Sequence, residues 1–134
     1  MSNTAYAYYA IYGDFDPTEI SAVLGVPPTE VRVKGERGLG RVSQTSMWRL
    51  DSRLGQRSPL EAHVRDVLSQ LDINAEAFQR MSRQFSGTMQ LVSEFHVYPG
   101  LHFDRDIVDG LARFALAVDF DFYILPSTAQ EDPS

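Results

Sequence analysis

The chain has 134 residues, of which 43% are hydrophobic and 22% charged, with a formal net charge of −6 and no cysteine. One domain with a substantial core fits that length, and the missing thiols exclude a disulfide framework, a thiolate metal site and a cysteine nucleophile. No apolar run approaches the roughly 18–20 residues that cross a bilayer, and the opening Met1-Ser2-Asn3-Thr4 lacks the basic and apolar regions of a secretory signal, so a cytoplasmic protein away from the membrane is expected.

Residues 5–12 read as a tyrosine-rich strand, with Tyr6, Tyr8 and Tyr12 on one face and Ala5, Ala7, Tyr9 and Ile11 on the other. Asp16-Pro17 then opens a short helix carrying Ile20, Val23 and Leu24, which Gly25 and Pro27-Pro28 end. Glu30 to Lys34 alternates as a second strand, with Val31 and Val33 expected inward. Gly35 to Ser46 holds three glycines without periodicity and reads as a long, functional or mobile loop. The next strand carries the single tryptophan, Trp48, on one face with Leu50 and Leu54. Arg49, Asp51 and Arg53 fall on the other, where they would sit beside Arg32 and Lys34.

Ser58-Pro59-Leu60-Glu61 is the strongest helix start in the chain, with Ser58 expected as the cap. Leu60, Val64, Val67, Leu68 and Leu71 follow at helical spacing, and His63 is expected on the flank of that stripe. Asp72-Ile73-Asn74 breaks the run before a second helical stretch with Phe78, Met81 and Phe85 on one side. Residues 88–98 alternate as a strand, with Met89, Leu91, Phe95 and Val97 together on one face. Asp104 is expected to cap a helix carrying Ile107, Leu111 and Phe114, and 118–124 alternates as the closing strand. The tail, 126–134, is expected to be disordered.

This order of elements predicts an α+β domain over 1–125. Its expected form is a largely antiparallel sheet of about five strands with two to three helices packed on one face, a ferredoxin-like core with an added helix and strand.

The charge is laid out unevenly. Arg32, Lys34, Arg37, Arg41, Arg49, Arg53 and Arg57 lie in one segment with only Glu36 and Asp51, giving it +5 and leaving −11 for the rest of the chain. Eleven of the twelve basic residues are arginine, whose planar fork suits carboxylates and phosphates. An anionic small molecule bound by Arg32, Arg37, Arg41, Arg49 and Arg53 is therefore one expectation. The loop itself matches neither a P-loop nor a dinucleotide fingerprint, because no Gly-Lys-Ser/Thr follows and it leads into a strand. Nucleic acid is not the expected partner of so acidic a chain.

Glu94, His96, His102 and Asp104 fall within eleven residues, but Pro99-Gly100 turns the chain between the two pairs, and an exposed polar strand face explains the first pair. Asp119 and Asp121 share the polar face of the closing strand. They have no neighbouring nucleophile or third ligand, and they suit the solvated side of a sheet or a basic protein surface. No Gly-x-Ser-x-Gly elbow or zinc-protease helix is present. A protein that is not an enzyme is expected, with no cofactor and no metal.

The Trp48-Arg49-Leu50 strand leading to a helix with His63 and Leu68, then a strand, a last helix and a closing Asp-Phe-Tyr strand, resembles a family of small bacterial proteins known as domain-of-unknown-function number 4279. The resemblance rests on spacing and aromatic positions over nearly the whole chain. It implies a stand-alone bacterial α+β domain with no established activity, and it carries no site residue with it. Together these readings predict a non-enzymatic protein-binding module, for which an immunity role that blocks a toxin is one form, with Asp119 and Asp121 or the arginine segment as the contact face. A homodimer through an uncovered sheet edge also fits.

Overall fold

The structure, a computed structural model, describes residues 3–38 and 40–126. Its middle strand is β1 (Thr4–Gly13), whose alternation sorts the chain into layers: Ala5, Ala7, Tyr9 and Ile11 are buried, while Tyr6, Tyr8 and Tyr12 point the other way. Helix α1 (Pro17–Leu24) follows, then β2 (Glu30–Arg32), a small hairpin of β3 (Arg37–Gly38) and β4 (Arg41–Val42), and β5 (Ser46–Asp51). Helix α2 (Leu60–Leu71) runs through one 3-10 turn (Asp72–Asn74) into α3 (Ala75–Gln84). Strand β6 (Thr88–Phe95), helix α4 (Arg105–Arg113) and β7 (Ala117–Ile124) close the fold.

The sheet order is β2-β5-β1-β6-β7. Strands β5 and β6 both pair antiparallel with β1, and β2 pairs antiparallel with β5. That is the ferredoxin-like arrangement of a split strand–helix–strand pair. Helix α4 then returns the chain so that β7 joins β6 in parallel, as a crossover connection requires. The expected α+β class, the mostly antiparallel five-strand sheet and the added helix and strand are all present. The helices form three units: α1, the continuous α2–α3 arm, and α4.

The core lies between the helices and one sheet face. It gathers Tyr9, Ile11, Trp48, Leu50, Met89 and Leu91 from the strands with Leu24, Val64, Leu71, Phe78, Ile107 and Phe114 from the helices. Tyr9, Trp48 and Phe78 meet edge to face, with ring centroids 5.3 to 6.2 Å apart, the geometry that aromatic quadrupoles favour. Their polar tips are satisfied: the Trp48 indole N–H donates to Ser21 Oγ at 3.0 Å, and the Tyr9 hydroxyl bonds Ser82 Oγ at 3.0 Å.

Local signals explain most boundaries. Asp16 accepts from the Thr18 N–H at 2.9 Å with Pro17 at the first turn, and Gly25 ends α1 with φ of 71°, a conformation that costs glycine little. Several expectations are corrected. Val31 and Val33 are 41% and 44% exposed, because Val31 lies on a three-residue edge strand and Val33 lies beyond its end. Strand β5 stops at Asp51, so Leu54 lies exposed in the following turn, and Arg53 turns to Asp66 of α2 instead of lying beside Arg32 and Lys34. Ser58 does not cap α2: Pro59 is extended, with ψ of 152°, and the helix starts one residue later without a side-chain cap. Asp104 is the N-cap residue of α4, as expected, but makes no side-chain cap bond, since its carboxylate is taken by Arg65 and His102. Strand β6 ends at Phe95, leaving Val97 exposed. The segment read as an aperiodic loop contains the β3–β4 hairpin. Of the expected tail, 127–134 lies outside the described residues.

Candidate functional site

The face of the sheet turned away from the helices carries a connected set of partly exposed side chains. Strand register fixes its membership, since directly paired residues share a face. Tyr8 stands opposite Asp51 and Gln90, Ala10 opposite Arg49 and Thr88, Tyr6 opposite Val92, and Thr4 opposite Glu94. Glu30 and Arg32 extend the same face at the β2 edge, where they oppose Arg49 and Met47. On the other side Asp119, Asp121 and Tyr123 oppose Gln90, Val92 and Glu94. None of these side chains belongs to the main core.

The aromatic part of this face is ordered. Tyr6 and Tyr8 stack with centroids 6.3 Å apart and ring planes 19° from parallel. Arg49 lies over Tyr8, its guanidinium carbon 3.8 Å from the ring centroid, and forks onto Asp51 at 2.6 and 3.0 Å, with Glu30 at 3.8 Å. The hydrogen bond from Arg49 to Asp51 holds the guanidinium above its ordinary pKa. Burial raises the Tyr8 phenol, with Tyr12 adding to it and the Arg49 charge opposing it. Across the sheet, the Tyr123 hydroxyl donates to Asp121 at 2.9 Å, a bond that raises the tyrosine's pKa. Tyrosines held by a ring contact, as Tyr6 and Tyr8 are, or by the hydroxyl, as Tyr123 is, lose little side-chain entropy on contact with a partner.

Electrostatically the face is acidic. Glu30, Asp51, Glu94, Asp119 and Asp121 stand against Arg32 and Arg49, and Arg49 is neutralised by its two carboxylate neighbours. Asp119 and Asp121 carry no ion pair among the described residues.

The five arginines singled out from sequence do not form one site. Arg49 belongs to the open face. Arg53 is tied to Asp66 by its side chain and its backbone N–H. Burial works to raise the Asp66 carboxyl, but those bonds offset it and hold the group below its usual range. Arg32, Arg37 and Arg41 lie on β2 and the β3–β4 hairpin without an ion pair among the described residues. Arg32 and Arg41 flank a hollow of about 410 Å³ that Glu36 and Ser43 also line. Tyr6, Tyr8, Tyr12, Tyr123 and Glu94 are not among the binding residues expected from sequence. Their shared strand faces were legible, but only the register shows that they lie together on a face without helices.

Ser52 and His63 meet at 2.7 Å, but a serine on Nδ1 of a fully buried ring is a structural contact with no access for a substrate. His102 bonds Asp104 and Glu94 accepts from Thr4. Among the described residues no group of three or more His, Asp or Glu has the geometry to hold a metal ion, and no helix is long and apolar enough to cross a membrane.

Comparison with known proteins adds a family and no activity. No curated protein and no solved structure matches the chain. A family model described as a domain of unknown function, DUF4279, matches residues 3–125. With nearly the whole folded chain inside that match, from the first residue of β1 to the end of β7, the protein belongs to the DUF4279 family.

Proposed function

We propose that this is a non-enzymatic protein-binding module of the bacterial cytoplasm, of the immunity type, which captures a basic partner protein on the open face of its sheet. One observation carries the reading: four tyrosines, Tyr6, Tyr8, Tyr12 and Tyr123, stand on a helix-free sheet face whose carboxylates outnumber its guanidiniums. Tyrosine is enriched at binding hot spots, where it supplies apolar area and a hydroxyl at low entropic cost. Asp119 and Asp121, which carry no ion pair among the described residues, fit lysines and arginines of a partner and favour rapid encounter with it. A tyrosine platform also suits nucleobases, but a net-negative face repels phosphates. The expected partner is therefore a lysine- and arginine-rich protein surface.

The test is affinity capture of the tagged protein from its host at low salt, run beside an Asp119→Lys/Asp121→Lys variant and a Tyr8→Ala variant. The expected result is one basic protein at equal stoichiometry, lost with the charge-reversed chain and weakened at least about tenfold, or ~1.4 kcal/mol, by Tyr8→Ala. A partner whose retention ignores both substitutions overturns the open face as the site. An empty lane overturns the protein-binding reading.

A second reading rests on Arg32 and Arg41 around the hairpin hollow, with Arg37 on the adjoining strand: an anionic small molecule bound there. A rise in melting temperature with a phosphorylated metabolite, abolished in an Arg32→Ala/Arg41→Ala variant, supports it. Arg49 and Arg53, already neutralised by carboxylates, are not expected to contribute.

A further inference from the structure

Strand β7 is an eight-residue edge: its one sheet neighbour is β6, and among the described residues nothing pairs with its other side. The hydrogen bonds show which backbone groups are free. Ala117 N–H reaches Gly87 and Leu125 N–H reaches Phe95, both on the β6 side. Odd-numbered residues therefore turn their backbone groups toward β6, and Val118, Phe120, Phe122 and Ile124 turn theirs outward. Native proteins shield such edges with charge, proline or short length. This one is long and lacks proline, and it leaves Phe120 and Ile124 59% and 76% exposed on the helix side.

We propose that a second copy of this chain covers the β7 edge, pairing β7 with β7 antiparallel about a two-fold axis at Phe122. Like charges disfavour two other registers, and a donor–acceptor pair favours this one. A two-fold axis at Phe120 sets Asp119 against Asp121 twice, and one at Asp121 sets that carboxylate against itself. An axis at Phe122 sets Asp121 against Tyr123 of the second copy, a pairing of acceptor with donor that already occurs within one chain at 2.9 Å. It also sets Phe120 against Ile124 of the second copy on the helix side.

The ground beside Phe120 is shaped for that contact. Leu101, His102, Phe103 and Phe120 line a hollow of about 170 Å³, open to an aliphatic side chain arriving from across the edge. The chain is thus self-complementary at this edge: outward amides meet outward carbonyls, Phe120 meets Ile124, and Asp121 meets Tyr123. A two-fold axis normal to the sheet gives ten continuous strands and leaves both open tyrosine faces on one side. So small an edge places the dimer at the weak end of specific interfaces, with a dissociation constant in the micromolar range, about 1–100 μM. This inference does not depend on the partner proposed above.

Sedimentation equilibrium of the full chain between about 1 and 500 μM, a range that brackets the expected constant, tests the association. The expected result is a reversible monomer–dimer equilibrium. Phe120→Pro removes an outward N–H and leaves the β6 ladder intact. Ile124→Lys replaces an exposed side chain. Each is expected to weaken the dimer at least tenfold while the dilute protein keeps its circular dichroism spectrum. The register has its own readout, because the natural chain is free of cysteine. Asp121→Cys mixed with Tyr123→Cys is expected to form a mixed disulfide under mild oxidation, and neither alone a homodimer, since directly opposed residues fall within disulfide reach. A chain that stays monomeric throughout, or a dimer indifferent to both edge variants, overturns the proposal. Cross-linking by Asp121→Cys alone overturns the register.

Discussion

The Ser52 hydroxyl and the His63 ring meet at 2.7 Å, Oγ to Nδ1, across the junction between β5 and α2. The same hydroxyl accepts the Leu54 N–H at 3.1 Å. One polar side chain thus fastens the turn after the tryptophan strand to the central helix, and it does so with a neutral histidine sealed from solvent.

Burial lowers the His63 pKa below its ordinary 6.5, only partly opposed by the backbone at Ser58 and Gly55 and by Asp66. The unfolded chain therefore takes up the proton first as pH falls. The stability tied to neutral His63 is complete above about pH 6.5 and is lost progressively below it. The urea midpoint is expected to drop between pH 7.5 and 5.5, and in His63→Leu to stay nearly level over that interval. Asp66, whose folded pKa is also lowered, loses its contribution only nearer pH 4, so the two windows are separable. A wild-type midpoint that does not move above pH 5.5 contradicts the burial of a neutral ring.

Two glycines mark close approaches of unequal hardness. A Cβ on Gly110 meets Leu68 Cδ1 at 2.9 Å, the far end of a side chain that can turn aside. A Cβ on Gly87 meets Ser82 Cβ and Oγ at 2.6 Å and its backbone Cα at 2.9 Å, and Ser82 holds the Tyr9 hydroxyl. Gly110→Ala is expected to cost under about 1 kcal/mol, because helix propensity offsets part of the clash. Gly87→Ala is expected to cost about 2–3 kcal/mol. Chemical denaturation of both variants checks the ranking.

Trp48 is the sole tryptophan and is wholly buried, with its N–H on Ser21. Its emission is expected to be blue-shifted in the folded protein and to move to longer wavelength in one step on unfolding. Trp48→Phe leaves a gap and a hydroxyl without its donor, and is expected to cost about 2–4 kcal/mol. Ser21→Ala, which removes only the acceptor, is expected to cost about 1–2 kcal/mol. Equal losses in the two variants would contradict this division.

The contact of Arg49 with the Tyr8 ring is half shielded, and a coupling of about 0.5–1 kcal/mol is expected from a double-mutant cycle of Tyr8→Ala and Arg49→Ala. Urea denaturation of the four proteins measures it. By contrast Arg37→Ala and Arg41→Ala, on the exposed hairpin, are expected to change stability by less than about 0.5 kcal/mol.

Much of the fold was legible along the chain. The two-residue alternation of β1 and β7, the Asp16-Pro17 start and Gly25 stop of α1, and the break at Asp72-Ile73-Asn74 are all local features, and they appear where the residues announce them. Local backbone sterics and side-chain period decide such features within a few residues. The fates of Ser58 and Asp104 were not legible. A cap is a competition: an extended Pro59 takes the position expected for Ser58, while Asp104 keeps the N-cap position but gives its carboxylate to the neighbouring His102 and to Arg65 of α2.

The sequence by itself determined the order of the main helices and strands and the two faces of each strand, because each follows from the period of apolar side chains. Only the tertiary structure decided which faces stay uncovered. Long-range strand pairing separates Arg49 from Arg53, buries His63 on a serine, and gathers Tyr6, Tyr8, Tyr123, Asp119 and Asp121 from the two ends of the chain onto one open surface. Spacing along a chain carries no information about which segments will lie side by side, and the packing of helices onto a single face of the sheet is what leaves the other free.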